Sequence, residues 1–464
     1  MRRSKVLWPG RRTVLSGLAG TVTGIAGALV AAAIATSVAG GAPAAQRLDP
    51  VTLLDGAHVP PLLTVAGERP ILRYALVCAG PDGAACDGSG EVYIRAGQSG
   101  QFRVIRLQRG DDSNEGRYYA AVPHDIAASP DGFSYYAVLR DNASGATLTL
   151  PTGGSAAPER SLPLGTPVGV HLPSHVFGHV RAGNHVVLAP WGSSAGQAGL
   201  SGAPELGYVG PSAFDVSANG EIVVLDQVNK RVERWAAHAG GPSTVELPVS
   251  GGIADMRIES DGTIDVLEPH GGRPLLRRFD RAGHLRSTQP IADRTWSQLE
   301  LEPTGPAVQQ EPSEQWMPAA RGSDTLGREE QAKAGRPGRR LANGHELVVL
   351  RAGTDELRLA DVAGNRVRRS WRITSETPLG EVQLAEPLGG RIVVVLKTYT
   401  DKRDEFLALV LDASGIAQHF SLAPAQWAES AALARFRLAG TSLYQLGSTP
   451  AGAFVDRFDL GGSR

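Results

Sequence analysis

Ala213-Phe214-Asp215-Val216-Ser217-Ala218-Asn219-Gly220-Glu221-Ile222-Val223-Val224-Leu225-Asp226 reads as two short apolar strands folded over an Asn-Gly turn. Gln227-Val228-Asn229-Lys230-Arg231-Val232-Glu233-Arg234-Trp235 adds a polar turn and a third strand. The pattern returns in Ile253-Ala254-Asp255-Met256-Arg257-Ile258-Glu259-Ser260-Asp261-Gly262-Thr263-Ile264-Asp265-Val266-Leu267, its Asp-Gly turn 42 residues after the first. Weaker copies of the turn-plus-strand unit occur at 183–188, 343–350, 389–396 and 440–446. A period of ~40–45 residues with about four short strands per unit is the pattern of a β-propeller. Six units are countable, and the gap between Gly262 and Gly344 is twice a unit. The expectation is an all-β chain with a propeller of six or seven blades over 175–464. A divergent blade or an insertion should lie around 293–340.

The first copy resembles an NHL-type propeller repeat, in which a strand ending in Asp is followed by Asn-x-Arg and an aromatic. Here those places are Asp226, Asn229-Lys230-Arg231 and Trp235. The second copy departs from the family, with Glu268 where the Asp would stand and no Asn-x-Arg. The physical role read for Asp226, Asn229 and Arg231 is turn-capping and strand pairing, since a carboxylate, an amide and a guanidinium satisfy backbone groups a turn leaves unpaired.

Upstream, residues 70–151 carry about seven short strands in roughly 80 residues, as a β-sandwich requires. They include Ile71-Leu72-Arg73-Tyr74-Ala75-Leu76-Val77, Glu91-Val92-Tyr93-Ile94-Arg95 and Phe133-Ser134-Tyr135-Tyr136-Ala137-Val138-Leu139. The run from Tyr135 through the Asp141-Asn142-Ala143-Ser144-Gly145 turn to Pro151 resembles the last hairpin of bacterial Ig-like or fibronectin-like modules. Residues 46–69 read as a leader segment. The Pro, Gly, Ser and Ala of 152–174 read as a linker. Cys78 and Cys86, the two cysteines, flank a Gly/Pro/Asp-rich loop and are expected to form a disulfide in an oxidising compartment.

That compartment is implied by the amino end. Arg2, Arg3, Lys5, Arg11 and Arg12 precede an apolar stretch from Val14 to Ala39, and Ala42-Pro43-Ala44 offers a small-residue cleavage site. Arg11-Arg12-Thr13-Val14-Leu15 resembles the twin-arginine export motif, so residues 1–45 read as an export signal. The alternative is an uncleaved anchor, the run being long enough to span ~30 Å of hydrocarbon. The remainder is thus expected outside the cytoplasm, secreted or held at the cell surface. The chain has 46 basic and 47 acidic residues. Without its five amino-terminal basic residues it carries a net charge of about −6, unsuited to a phosphate backbone. Nucleic acid is excluded as a partner, and a membrane is met only through an uncleaved amino end.

Several clusters invite a chemical reading. Asp215 and Asp255, in equivalent places of successive units, should approach the central channel. There, paired carboxylates would bind a ligand or a divalent cation, or do acid–base work. Lactonase-type propellers, which the resemblance brings to mind, hold a cation there, and streptogramin-lyase-type propellers place a catalytic His. His171, His175, His179 and His185 crowd one stretch, but on one strand they would span roughly 50 Å at ~3.4 Å per residue and could not share an ion. Gly192-Ser193-Ser194-Ala195-Gly196 matches G-x-S-x-G without the strand and helix a nucleophile elbow needs. Asp111, Asp112, Asn114 and Glu115 lack calcium-loop spacing. Trp296, Trp316 and Met317 suit either a buried strand or a partner edge.

The functional expectation is a binding protein whose propeller face holds an extracellular protein, a glycan or a small ligand, with no cofactor required. The alternative is a divalent-cation-dependent hydrolase or lyase working in the channel.

Overall fold

The leading copy folds as a four-stranded antiparallel sheet. Ala213–Val216, Ile222–Asp226, Arg231–Trp235 and Ser243–Glu246 pair in chain order. Its first turn needs glycine, because Gly220 sits at φ +81° in the left-handed region. Gly262 repeats this at +87° in the second copy. The computed structural model describes residues 53–79, 87–110, 116–205, 207–237, 241–268, 274–291, 298–310, 315–321, 324–325, 335–428 and 435–461.

Taking this sheet as blade I, five more follow among the described residues. Blade II comprises Asp255–Ile258, Ile264–Glu268, Leu275–Phe279 and Leu285–Pro290. Blade III has Gln298–Glu302, Gly305–Gln310 and Gln315–Pro318. Blade IV runs from Arg339–Arg340 through Glu346–Arg351 and Glu356–Ala363 to Arg366–Ser375. Blade V is Leu379–Leu388, Arg391–Tyr399, Asp404–Asp412 and Gly415–Leu422. Blade VI is Phe436–Ala439, Ser442–Thr449 and Gly452–Asp459, with Asn184–Pro190 as its outer strand. The first strands of blades I and II, II and III, V and VI, and VI and I lie against one another. Glu302 reaches Arg340 to join III to IV, and Glu346–Arg351 touches Leu379–Leu388 to join IV to V. The sheets form a closed ring, a β-propeller.

Apolar side chains fill the spaces between neighbouring blades. Val223, Val232, Met256, Val266 and Phe279 are buried between I and II, and Val395, Phe406, Phe436 and Phe458 between V and VI. Each fully buried side chain of this size contributes about 1.5–3 kcal/mol relative to exposure. The ring is closed by a strand from its own beginning. Asn184–Pro190 pairs antiparallel with Gly452–Asp459 near the other end of the chain. The unit read at 183–188 is therefore no blade of its own but the fourth strand of the blade containing 440–446. The doubled gap is filled by blade III.

Two further sheets share one core around Leu72, Tyr74, Val92, Ile94, Tyr118, Phe133, Tyr135 and Leu139, forming a sandwich. It extends beyond the expected 70–151. Leu53–His58 pairs with Ile71–Ala79, and Glu159–Pro163 pairs with Phe133–Asp141. The leader and linker readings thus each contained a strand. The second half of the linker, Val168–Leu172, pairs in parallel with the outer strand of blade IV. Nor does the sandwich hang free. Leu62, Leu63, Leu162 and Leu164 pack on Val348, Leu350, Ala360 and Val362, and Arg358 donates to the Leu63 carbonyl (2.7 Å) and to Glu68. No helix among the described residues is long and apolar enough to cross a membrane. The export signal with Arg11 and Arg12, the side chain of Cys78 with all of Cys86, Asp111, Asp112, Asn114, Glu115 and Trp296 lie outside the described residues.

Candidate functional site

The first strand of every blade has a ladder partner on one side only, so its channel edge presents unpaired amides. Carboxylates supply their acceptors. The Ile258 amide of blade II donates to Asp215 Oδ2 of blade I (2.8 Å), the Leu299 amide of blade III to Asp255 Oδ2 (2.7 Å), and the Arg340 amide of blade IV to Glu302 Oε1 (2.8 Å). Each acid stitches its blade to the next.

The two aspartates are not in equivalent places. Asp215 opposes Val223 in its hairpin, and the corresponding position opposite Asp265 is Arg257; Asp255 corresponds instead to Ala213. A two-residue offset keeps the side-chain face, which is why both still meet the channel. Arginines occupy the space between the acids. Arg437 Nη2 lies 2.8 Å from Asp255 Oδ1 and Arg437 Nη1 3.5 Å from Glu300, while Arg257 lies 3.5 Å from both Asp215 and Glu300. Arg339 pairs with Glu386 at 2.5 Å. Every blade thus contributes at least one charge to a network of four carboxylates and three guanidiniums. Burial disfavours the ionised form of Glu300, but Arg257, Arg437 and Arg339 outweigh it and hold the carboxyl below its usual range. At Asp255 burial wins over Arg437 and pushes the carboxyl up. Asp215 and Asp255 are brought together as tied members of an ion-pair plug. No group of three or more His, Cys, Asp or Glu among the described residues is placed to hold a metal ion.

The histidines are spread over a strap that crosses the outer edges of blades IV, V and VI. His171 lies 3.2 Å from Thr374 Oγ1 and 3.5 Å from Glu376. His175 Nε2 meets Glu405 Oε2 at 2.9 Å, and His185 pairs with Asp456. His179 is exposed. They serve three different blades and do not converge.

Strands A to D of each blade run outward from the channel. The loops linking D to the next A share one face with the B–C turns. On this face the Asp226-Asn229-Arg231 constellation is at work. Asn229 Nδ2 and Arg231 Nε donate to Asp226 Oδ2 (2.7 and 3.3 Å). Arg231 also donates to the carbonyls of Ser193, Ser194 and Gln197 (2.6–3.0 Å), and Asn229 to that of Gly192. The three residues therefore hold the preceding D–A loop as well as their own turn. The G-x-S-x-G match is this pinned loop, with no strand-to-helix elbow around it.

The pinned loop begins at Trp191, whose Nε1 donates to the Thr449 carbonyl (3.1 Å). Two other half-buried aromatics meet it there. Tyr208, from the hairpin Ser201–Ala203 and Gly207–Val209, stacks on Trp427 with centroids 4.5 Å apart and planes 18° apart; Trp191 lies 5.8 Å from Trp427. This cluster draws on the V–VI and VI–I loops. Sequence reading passed over it because its members lie 17 and 219 residues apart. The available signal was a Trp or Tyr set in loops of Gly, Ser, Ala and Gln with few charges. Trp316 and Met317, by contrast, are buried strand residues of blade III.

No protein-family model and no curated protein sequence matches the chain. Among solved structures it is similar to virginiamycin B lyase from Staphylococcus aureus, at 8% identity and a TM-score of 0.33 over 53% of this chain and 94% of that one. It is also similar to the β-propeller domain of the Trilobed protease from Pyrococcus furiosus, described as having an open velcro topology (9%, TM-score 0.31, 82% and 97%). A third is YCF48 from Cyanidioschyzon merolae (10%, TM-score 0.28, 80% and 98%). Likenesses this distant transfer no activity to the chain.

Proposed function

We propose that the protein is an exported binding protein, secreted or held at the cell surface, that takes its ligand on the propeller face carrying the D–A loops and B–C turns. The observation that carries this reading is the cluster of Trp191, Tyr208 and Trp427. Rigid aromatic side chains lose little entropy on binding and offer both an apolar body and a polar handle, so they dominate binding surfaces. The plugged channel argues the same way, because Asp215 and Asp255 already accept backbone amides and face arginines. They have no spare valence for a substrate's metal. We read the propeller as six-bladed. We read the sandwich as Ig-like, because Leu53–His58, Ile71–Ala79, Arg117–Ala121 and Gln108–Arg109 share one sheet in that order while Gly88–Ala96, Phe133–Asp141 and Thr147–Leu150 lie in the other.

The test is retention of the purified protein on isolated cell envelopes of the producing cells. Trp191→Ala/Trp427→Ala should lose retention. Asn219→Ser, on the opposite face, should keep it. Equal retention of all three, or retention by none, refutes the reading.

A further inference from the structure

We infer that the Trp191, Tyr208 and Trp427 cluster is a stacking platform for the rings of an uncharged glycan; this deepens the binding-face reading and rests on it. Charge is the first argument. The segments that build the cluster and its surroundings, 191–213, 423–428 and 447–453, contain a single charged residue, Glu205 in the turn of the Tyr208 hairpin, with Glu429 directly following, in a chain that is 20% charged. Their combined length would ordinarily hold about seven charges. An anionic ligand brought here would lose water and gain no counter-charge, and a cationic one would find only the carboxylate of Glu205. A neutral sugar ring has what the surface lacks and needs what it offers. Its C–H face covers an aromatic plane, and its rim of hydroxyls pairs with Ser, Gln and backbone groups, which these loops supply.

Size is the second argument. Three half-buried rings present at most a few hundred Å², short of the about 800 Å² per partner of a standard protein interface but sufficient for two or three sugar rings. Backbone strain is the third. Ala425 (φ +49°) and Lys230 (φ +56°) are the non-glycine residues in the left-handed region among the described residues, and both lie on this face. Ala425 stands two residues before Trp427, its carbonyl accepting the Ser448 amide at 2.7 Å. An alanine held there is strained, and such strain gathers where a surface is pre-shaped for a ligand.

The experiment uses the same envelope retention with three treatments. Periodate, which opens the vicinal diols of 1,4-linked hexoses and pentoses, should abolish retention; proteinase K should leave it; a mixture of cellohexaose and xylohexaose should compete. Trp427→Ala should weaken retention about tenfold or more, while Trp427→Phe, which keeps a stacking face, should stay within about threefold. Far-ultraviolet circular dichroism of both variants excludes misfolding as the cause. Retention destroyed by proteinase K and indifferent to periodate overturns the glycan inference and leaves the binding face standing. Retention unaffected by loss of the tryptophans overturns both.

Discussion

Arg437 of blade VI and Asp255 of blade II are joined by a 2.8 Å ion pair that bypasses the intervening blade. The same guanidinium donates to the Phe214 carbonyl of blade I and the Met256 carbonyl of blade II, so one side chain ties three blades at the axis. Replacing Arg437 by Met leaves Asp255 and Glu300 short of a counter-charge in a buried place. Removing one partner of a buried pair costs about 3–5 kcal/mol. Asp255→Asn breaks the same pair from the other side and should cost a similar amount, because if its oxygen keeps the Leu299 proton its NH2 faces two donors, Arg437 and the Met256 amide. The double variant should be more stable than the sum of the two losses implies. Urea unfolding of the four proteins checks all three statements.

A pH effect should originate in the sandwich. His58 is buried, its Nδ1 2.7 Å from the Arg73 carbonyl and its Nε2 2.7 Å from the Tyr135 hydroxyl. The carbonyl can only accept, so Nδ1 carries the proton and Nε2 accepts from Tyr135. Burial lowers the pKa of His58 from 6.5 to about 4, although the bond to Arg73 opposes the shift. The unfolded chain therefore takes up this proton first as the pH falls. Stability is full above pH ~6.5 and declines toward pH ~4, by roughly 3 kcal/mol in all. In His58→Phe the slope of unfolding free energy over that window should change by the one proton that His58 takes up, from a lower starting value. A slope unchanged in the variant would place the titrating group elsewhere.

Arg231 links the propeller's framework to the binding face. It is almost wholly buried and makes several of its bonds to carbonyls of the loop after Trp191. Arg231→Met keeps the apolar stem but removes the donor to those carbonyls and the counter-charge of Asp226 and Glu233, for a loss of about 3 kcal/mol. More tellingly, amides of 192–198 should exchange with solvent faster than those of the other loops on that face. Uniform acceleration across all blades would mean that Arg231 supports global stability only.

These residues also show what a sequence yields. Asp226, Asn229 and Arg231 sit within six positions of one another, and their pairing was readable because local turn chemistry depends on near neighbours. The strands of 71–77, 91–95 and 133–139 were readable for the same reason, since alternation reports which side is buried. The acid–arginine plug was not. Asp215 and Asp255 were read as a matched pair because both follow an apolar residue, but which acid faces which arginine depends on strand register across the channel. Arg437 stands 182 residues from Asp255. The closing strand failed likewise: nothing in 184–190 says that it will complete a blade begun at Phe436. The aromatic cluster is the third case, being assembled only when the ring closes.

The strap that closes the ring yields the last prediction. Between its two paired strands it bonds to Glu376, Thr377 and Ser421, and at its middle to Glu405, where His175 pairs with Oε2 at 2.9 Å and the Gly178 amide donates to Oε1 at 2.6 Å. Glu405 is itself fixed within Asp404–Asp412 of blade V, so its position is set by the sheet and the strap conforms to it. In Glu405→Ala both contacts go at once. A loss of about 1.4 kcal/mol of local stability corresponds to tenfold faster exchange of the amides between Leu172 and Asn184. The hydrogen-bonded amides of Leu407 and Leu409 in the same strand should be unchanged, because their ladder partners remain. Tm should fall by only a few degrees for a chain of this length. If instead the whole of blade VI exchanges faster, the strap's hold at Glu405 is what keeps Asn184–Pro190 in its sheet. Closure of the propeller would then depend on a single carboxylate outside the closing blade.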